Sequence, residues 1–392
     1  MVQCSLFDGA NPLKVTKPLR LIELFAGIGA QAKALENLGV KFEHYRICEF
    51  DKYAVASYNA VHGTEFTTSD ITKIHAADLG IVETDKYEYI MTYSFPCTDL
   101  SKAGKQQGMS RESGTRSGLL WEVERLLKEA EELPQILLME NVPDVISEKN
   151  SADFFAWRRF LEDLGYTNKY AILNAKDFGV PQNRKRCFML SWLGNFYYDF
   201  PTTKPLTIKL KDVLEINVDE KYYLPNETVK KLNLSNIKSK EILKTVRAGG
   251  RGSVDRHCWD IVAEPLIIDD IYKSRKPREY KDAVPTLRSE RYGLKVYEPI
   301  VYDGFNQSIR KDNSCVGTLT RNCGADLKRN GQGIIEGIRV RKLTPKECWR
   351  LMGFDDESFS RAEKKVSNSQ LYKQAGNSIV VDVLMAIFKD LF

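Results

Sequence analysis

Short apolar runs alternate with stretches of helical period through the first half of the chain. The pattern predicts a strand over 19–25, broken at Ala26-Gly27-Ile28-Gly29, and then a helix over 30–38 that stops at Gly39, a residue suited to the turn past a helix end. A second strand is expected over 44–49, a helix over 51–61 and a third strand over 87–91. Helix 119–133 then leads to strand 136–139, and helix 154–164 leads to strand 170–174. A last strand over 186–193 closes the block. Strands and helices alternating at this spacing imply a mostly parallel sheet covered on both faces. Beyond about residue 201 the texture changes. Apolar runs shorten, helical period is rare, and Gly, Asn, Arg and Lys become abundant, as in Thr245-Val-Arg-Ala-Gly-Gly-Arg-Gly-Ser253. This region reads as a smaller, irregular, mainly β domain. Helical period returns at Thr344-Pro345. The final helix, over 379–391, is apolar on nearly every side and is expected to be buried.

A hydrophobic content of 43% with 28% charged residues places the chain among ordinary globular proteins, and 392 residues allow two domains or one large domain with an insertion. No run of about 18 apolar residues occurs, so no membrane span is expected. Residues 1–18 lack the apolar core of a secretory signal and read as a loosely held leader. The eight cysteines form no Cys-x-x-Cys pair and only four histidines accompany them, so no metal site is expected. Reduced thiols and a cytoplasmic setting follow.

Charge sharpens the division of the chain. The net charge is +5, but residues 201–340 alone hold 26 Lys and Arg against 19 Asp and Glu, leaving the remainder slightly acidic. A basic segment on a near-neutral body suits a polyanionic partner. Charge by itself fits a solvated surface equally well.

Candidate chemistry sits at the ends of the predicted strands. Gly27-Ile28-Gly29, between a strand and a helix, lets backbone approach a ligand closely. The full Gly-x-Gly-x-x-Gly fingerprint is absent, because Lys33-Ala34 stand where further glycine would be expected. Glu49 ends the second strand, where an acid can hold ribose hydroxyls, and Asp70 follows a short extended run. The set suits an adenosine-type cofactor better than a pyrophosphate one. Pro96-Cys97 follows the third strand and precedes a basic, Gly- and Ser-rich loop, a placement suited to a nucleophile. Glu140-Asn141-Val142-Pro143 ends the fourth strand and offers an acid partner. Gln182-Asn-Arg184-Lys-Arg186 opens the last strand. Gln374-Ala-Gly376-Asn377-Ser378 precedes the final helix, which Asn377 or Ser378 would cap.

In their order along the chain these elements resemble the DNA (cytosine-5) methyltransferases. The series is Phe25-Ala-Gly-Ile-Gly29, Glu49, Asp70-Ile71, Pro96-Cys97, Glu140-Asn141-Val142, Gln182-x-Arg184-x-Arg186, a variable basic region, Arg341-Lys-Leu-Thr-Pro-x-Glu-Cys-x-Arg-Leu-Met-Gly-Phe354 and Gly376-Asn377-Ser378. The likeness covers about 19–193 and 338–391. It implies a Rossmann-like α/β methyltransferase fold over 19–194, a target-recognition domain over 195–338, and a C-terminal segment, 339–392, returning to the first. It implies S-adenosylmethionine as methyl donor, double-stranded DNA as partner, and no metal. Cys97 would add to C6 of a flipped-out cytosine, Glu140 would hold N3 and the amino group, and Arg186 with Arg184 would hold O2 and orient Glu140. Cofactor contacts would come from Phe25, Gly27, Gly29, Glu49, Asp70, Ile71, Pro96, Leu119 and Asn377. DNA contacts would come from Ser101, Arg116, Thr318 and Thr320. The glycine-flanked Arg247 and Arg251 are the first candidates for the basic region, ahead of Arg256, Arg288, Arg291 and Arg321. The residue after the nucleophile is Thr98, where the family usually has Gln. That departure puts a loop contact in doubt and leaves the thiol chemistry intact. The chain would act as a monomer, with or without a companion restriction endonuclease. Alternatives are a transfer-RNA cytosine-5 methyltransferase, for which the basic region is long, and a silent DNA-binding relative, for which the retained Cys97, Glu140 and Arg186 are unexpected. A nucleotide dehydrogenase is disfavoured by the missing third glycine.

Overall fold

The structure is a computed structural model that describes residues 10–97, 100, 108–111, 114–223 and 341–392, with backbone strand segments between 240 and 342. It divides into two compact units. The first comprises residues 1–180, 184–207 and 349–392, and the second comprises 181–183 and 208–348.

The first unit is built on a six-stranded sheet. Its strands are β1 (Leu19–Leu24), β2 (Phe42–Cys48), β3 (Glu88–Tyr93), β4 (Ile136–Asn141), β5 (Tyr166–Asn174) and β6 (Lys185–Leu193). Their spatial order is β2-β1-β3-β4-β6-β5, and only β6 runs antiparallel to its neighbours. Helices α1 (Ala30–Asn37), α2 (Lys52–His62), α3 (Leu120–Glu129) and α4 (Ser151–Asp163) connect the strands. Strands β3 and β4 are buried at every position, as expected where helices cover both faces. Trp157 of α4 lies within this core and donates from its indole N–H to the Tyr93 hydroxyl at 3.0 Å. The chain turns to opposite sides after β1 and β2, so the sheet has a switch point between β1 and β3. Ligands in open α/β sheets bind at the carboxyl ends of the strands beside such a point.

Two local expectations change. Helix α3 ends at Glu129 instead of continuing to residue 133. The residue before Pro134 is biased away from helix, and the Glu132 carboxylate accepts from the backbone N–H groups of Glu83 and Thr84 instead. Residues 11–17 are not loosely held. Asn11–Pro12 pairs with Phe196–Tyr197, Leu13 is buried, and the Val15 N–H donates to the carbonyl of Leu391.

Residues 349–392 return to the first unit as α6 (Asp356–Glu363), α7 (Asn368–Asn377) and α8 (Val381–Lys389), after the short helix α5 (Pro345–Arg350). Val381, Val383, Leu384, Ile387 and Phe388 of α8 are buried, as its pattern predicts, while Met385 and Ala386 are partly so, and the helix packs on α1. The capping expectation fails. Asn377 closes α7, Ser378 follows as its C-cap, and the α8 N-cap is Val380 without a side-chain bond.

In the second unit the described strands are short and mainly antiparallel, including a five-stranded sheet ordered 260–262, 339–342, 333–336, 300–303, 308–309. The Arg341-to-Glu347 run proves to be a structural clamp. Both side chains are fully buried and pair through two bonds of 2.9 Å. Thr344 and Glu347 form a capping box at the start of α5: the Glu347 carboxylate accepts from the Thr344 N–H at 2.8 Å, and the Thr344 hydroxyl accepts from the Glu347 N–H at 3.1 Å.

Candidate active site

Two groups of side chains gather at the carboxyl ends of the parallel strands. The first is a turn after β1. Phe25, Gly27 and Gly29 all have positive φ, at 58°, 57° and 77°. That conformation is ordinary for glycine but uncommon for phenylalanine, and such strained positions cluster where backbone is shaped for a ligand. The Phe25 N–H donates to the carbonyl of Cys48 at 2.7 Å, and the Gly27 N–H donates to Glu49 Oε2 at 3.0 Å. Glu49 Oε1 accepts the Asp51 N–H at 2.9 Å. Burial pushes the Glu49 carboxyl up, and those two N–H groups pull it back. A side chain added at Gly27 would meet open space, so the backbone there faces a void. Asp70 is tied in through the Ser69 N–H, which donates to the carbonyl of Glu49 at 2.9 Å. Bonds from Thr72 hold the Asp70 carboxylate low. The Ile71 side chain is buried, and Leu119 ends a single 3-10 turn over Arg116–Leu119. Asn377 is exposed. One feature escaped the sequence reading: Phe50, directly after Glu49, is 77% exposed. An aromatic beside the acid at a strand end was the available signal.

The second group surrounds Cys97. The loop that carries it is pinned from both sides. The Asn141 amide donates to the carbonyl of Phe95 at 3.0 Å, and the Ser117 hydroxyl donates to the carbonyl of Pro96 at 2.7 Å. Asn141 therefore follows Glu140 for a positional reason. Glu140 lies opposite Phe188 across the antiparallel pair, so Arg186, two residues earlier on β6, projects from the same face. Arg186 Nε is 2.9 Å from Glu140 Oε1. Burial pushes the Glu140 carboxyl up, against the pull of Arg186 and Arg184. Burial also pushes the Cys97 thiol up; Arg186 and Arg184 draw it down, and Glu140 opposes them.

Arg184 is placed differently from the expectation that it joins Arg186 on the base. It is 3% exposed, and its guanidinium donates to the carbonyls of Gly376 and Ser378 at 3.1 and 2.6 Å. The strand breaks at this residue, and Gln182–Asn183 pairs with Val316–Gly317. Arg184 thus holds the turn around Asn377 while lending charge to the thiol and the acid. Arg116 is exposed at the start of its 3-10 turn. Ser101, Arg247, Arg251, Thr318 and Thr320 lie outside the described residues, as does Thr98.

A mostly parallel sheet with one antiparallel strand thus brings together a glycine turn after β1, a thiol after β3, a carboxylate on β4 and a guanidinium on β6. A family model described as C-5 cytosine-specific DNA methylase matches residues 19–392. The chain belongs to that family and is a DNA (cytosine-5) methyltransferase. Among curated relatives it is similar to the type II methyltransferase M2.ScrFI of Lactococcus lactis subsp. cremoris, at 31% identity over 95% of this chain and 99% of that protein. It is also similar to the orphan methyltransferase M.SssI of Spiroplasma monobiae, at 30% identity over 95% and 97%. In fold it is similar to the Entamoeba histolytica methyltransferase EhMeth, with a TM-score of 0.65 at 17% identity over 96% of this chain and 98% of that one. The S. pombe Dnmt2 methyltransferase gives 0.62 at 19% identity, with the same coverage. Among the described residues no helix is long and apolar enough to cross a membrane.

Proposed function

We propose that the chain methylates C5 of a cytosine flipped out of a short specific sequence in double-stranded DNA, through a covalent bond from Cys97 to C6. The observation that carries this reading is the Cys97 loop fixed by Asn141 and Ser117 beside the Glu140–Arg186 pair. The Cys97 thiolate forms the S–C6 bond, and the C5–C6 π electrons move into the ring toward N3. Glu140, raised by burial, donates a hydrogen bond or proton at N3, while Arg186 holds its other side. C5 is then electron-rich enough to take the methyl group. A solvent water takes the C5 proton, the C–H electrons reform the C5–C6 double bond as the thiolate leaves, and N3 returns its proton to Glu140, restoring the aromatic base and the enzyme. A cytosine stacked in a duplex hides C6, so the base must leave the helix.

The turn after β1 fits S-adenosylmethionine: open space before Gly27, the Glu49 carboxylate at the next strand end, and the exposed ring of Phe50 beside it. Bound there, that molecule supplies an electrophilic methyl group. Glu49 would take the ribose hydroxyls, with Asp70, Ile71, Pro96, Leu119 and Asn377 along the rest of the site. Residues 195–338 would choose the sequence, with Arg247, Arg251, Thr318 and Thr320 as first candidates for DNA contact and Ser101 and Arg116 contributing from the catalytic loop.

Two measurements test the reading. A duplex containing 5-fluorocytosine, incubated with the chain and S-adenosylmethionine, should yield a denaturation-resistant protein–DNA adduct, because fluorine does not leave as the C5 proton does. Bisulfite sequencing of DNA from cells expressing the chain should show methylcytosine at one recurrent short sequence. No adduct and no methylcytosine would refute the proposal.

A further inference from the structure

The turn after β1 rests on a residue that lies in none of the motif segments. His62 is the last residue of α2, and its side chain has no solvent exposure. Its Nε2 lies 3.2 Å from the carbonyl oxygen of Ile28, and its Nδ1 lies 2.6 Å from Glu36 Oε1 on α1. A carbonyl only accepts, so Nε2 carries a proton in this contact. A Cβ at Gly29 would overlap the His62 ring and Tyr58. Glycine is needed there both for its φ of +77° and to admit the imidazole.

The support continues beneath. The Tyr58 hydroxyl donates to Glu23 Oε2 at 2.5 Å, and His44 Nδ1 is 3.1 Å from the same hydroxyl. Glu23 Oε1 accepts the Ala32 N–H at 3.3 Å, in the first turn of α1. Burial pushes the Glu23 carboxyl up to about 7 and, helped by the neighbouring His62, His44 down to about 4. Burial alone would raise Glu36, but its bond to His62 keeps it below the usual range. Lys33 also reaches Glu36, at 3.8 Å, and pairs with Asp355 at 2.6 Å. The donor atoms of Glu36, His44 and His62 lie within 4.8 Å of one another. The 2.6 Å contact is nevertheless a hydrogen-bond length, shorter than the spacing of two ligands each about 2.0–2.1 Å from one tetrahedral ion. The cluster is a hydrogen-bonded brace.

We infer that His62 is a positioning residue for the methyl donor: its Nε2–H holds the Ile28 carbonyl and so sets the course of the Gly27–Gly29 backbone against the ligand. This rests on the assignment of that turn to S-adenosylmethionine. The experiment uses the full chain without DNA and compares wild type with His62→Gln and His62→Asn. The glutamine amide can place a donor near the position of Nε2. The asparagine amide reaches only toward Glu36. Calorimetric titration with S-adenosylmethionine should show affinity lowered about tenfold in His62→Asn, the scale of one lost buried hydrogen bond. His62→Gln should stay within about threefold of wild type, and DNA affinity should be equal in all three. Equal weakening in both variants would reduce His62 to a folding role and overturn the inference, as would equal affinity in both. Should His62→Asn not fold, the wild type still decides. The labelled His62 Nε2–H resonance should shift on adding S-adenosylmethionine and stay put on adding DNA, and a signal indifferent to the donor overturns the inference. Failure of the wild type to bind S-adenosylmethionine at all would strike the assignment of the turn itself, and this inference with it.

Discussion

The turn after β1 and the Cys97 cluster stand at the same end of one sheet, yet they are held by different forces. In the turn, backbone groups do most of the direct holding. Glu49 accepts from backbone N–H groups, and Phe25 and Gly27 are fixed by main-chain geometry. Around Cys97, charge does. Glu140 is paired with Arg186, and the thiol sits between that acid and two guanidinium groups. A reacting centre must let charge appear and disappear, and opposed charges in a buried site allow that within hydrogen-bond reach. Substitutions in the first region should therefore change how tightly the donor binds, and substitutions in the second should change how fast the chemistry runs.

Cys97→Ser should give the largest effect, abolishing methyl transfer and trapping by 5-fluorocytosine while DNA binding persists. Substantial methylation by this variant would sink the thiol mechanism. Glu140→Gln should lower single-turnover rate by on the order of 10²-fold or more, the scale of general acid–base catalysis, with affinity for S-adenosylmethionine within about twofold. If the affinity fell as far as the rate, the contrast between the two regions would be lost. Glu49→Ala should do the opposite. Affinity for S-adenosylmethionine should drop about 10- to 100-fold, as for a lost hydrogen bond to a charged group, with much smaller change in rate at saturating donor. The smallest effect is expected from Arg186→Met on the thiol itself. Arg186 pulls the Cys97 thiol down against burial, so its removal should move the pH profile of Cys97 alkylation to higher pH and slow alkylation at neutral pH. An unmoved profile would show that Arg186 does not tune the thiol.

The strand-end residues were legible in the sequence because each depends on short-range features: an apolar run, a break, and a Gly, Cys or Glu at the break. The order of these breaks also carried the fold class. The role of Arg184 was not legible, because its acceptors lie at Gly376 and Ser378, 192 and 194 positions away. The Asn377 cap misfired for a related reason. A short polar run between two helices can end one or begin the next, and here it ends α7. The Arg341–Glu347 clamp was visible as a motif, and Thr344-Pro-x-Glu347 had the spacing of a capping box. That the charge pair would be wholly buried depends on tertiary packing, which local pattern does not report. Phe50 carried only the weak signal of position. His62 carried none, since its bonded partners, Glu36 and Ile28, lie 26 and 34 positions away.

The return of residues 349–392 to the first unit also shapes how the protein is made. A ribosome makes the segments of α1 and α2 and all six strands before it begins 208–348, and helices α6 to α8 come only after that. Making those intervening residues takes roughly ten to thirty seconds at ordinary elongation rates. Throughout that interval α1 has no α8 packed on it, and Arg184 has no Gly376 and Ser378 carbonyls to hold. Until its last residues are made, the chain therefore lacks both the helix that covers α1 and the acceptors that hold Arg184.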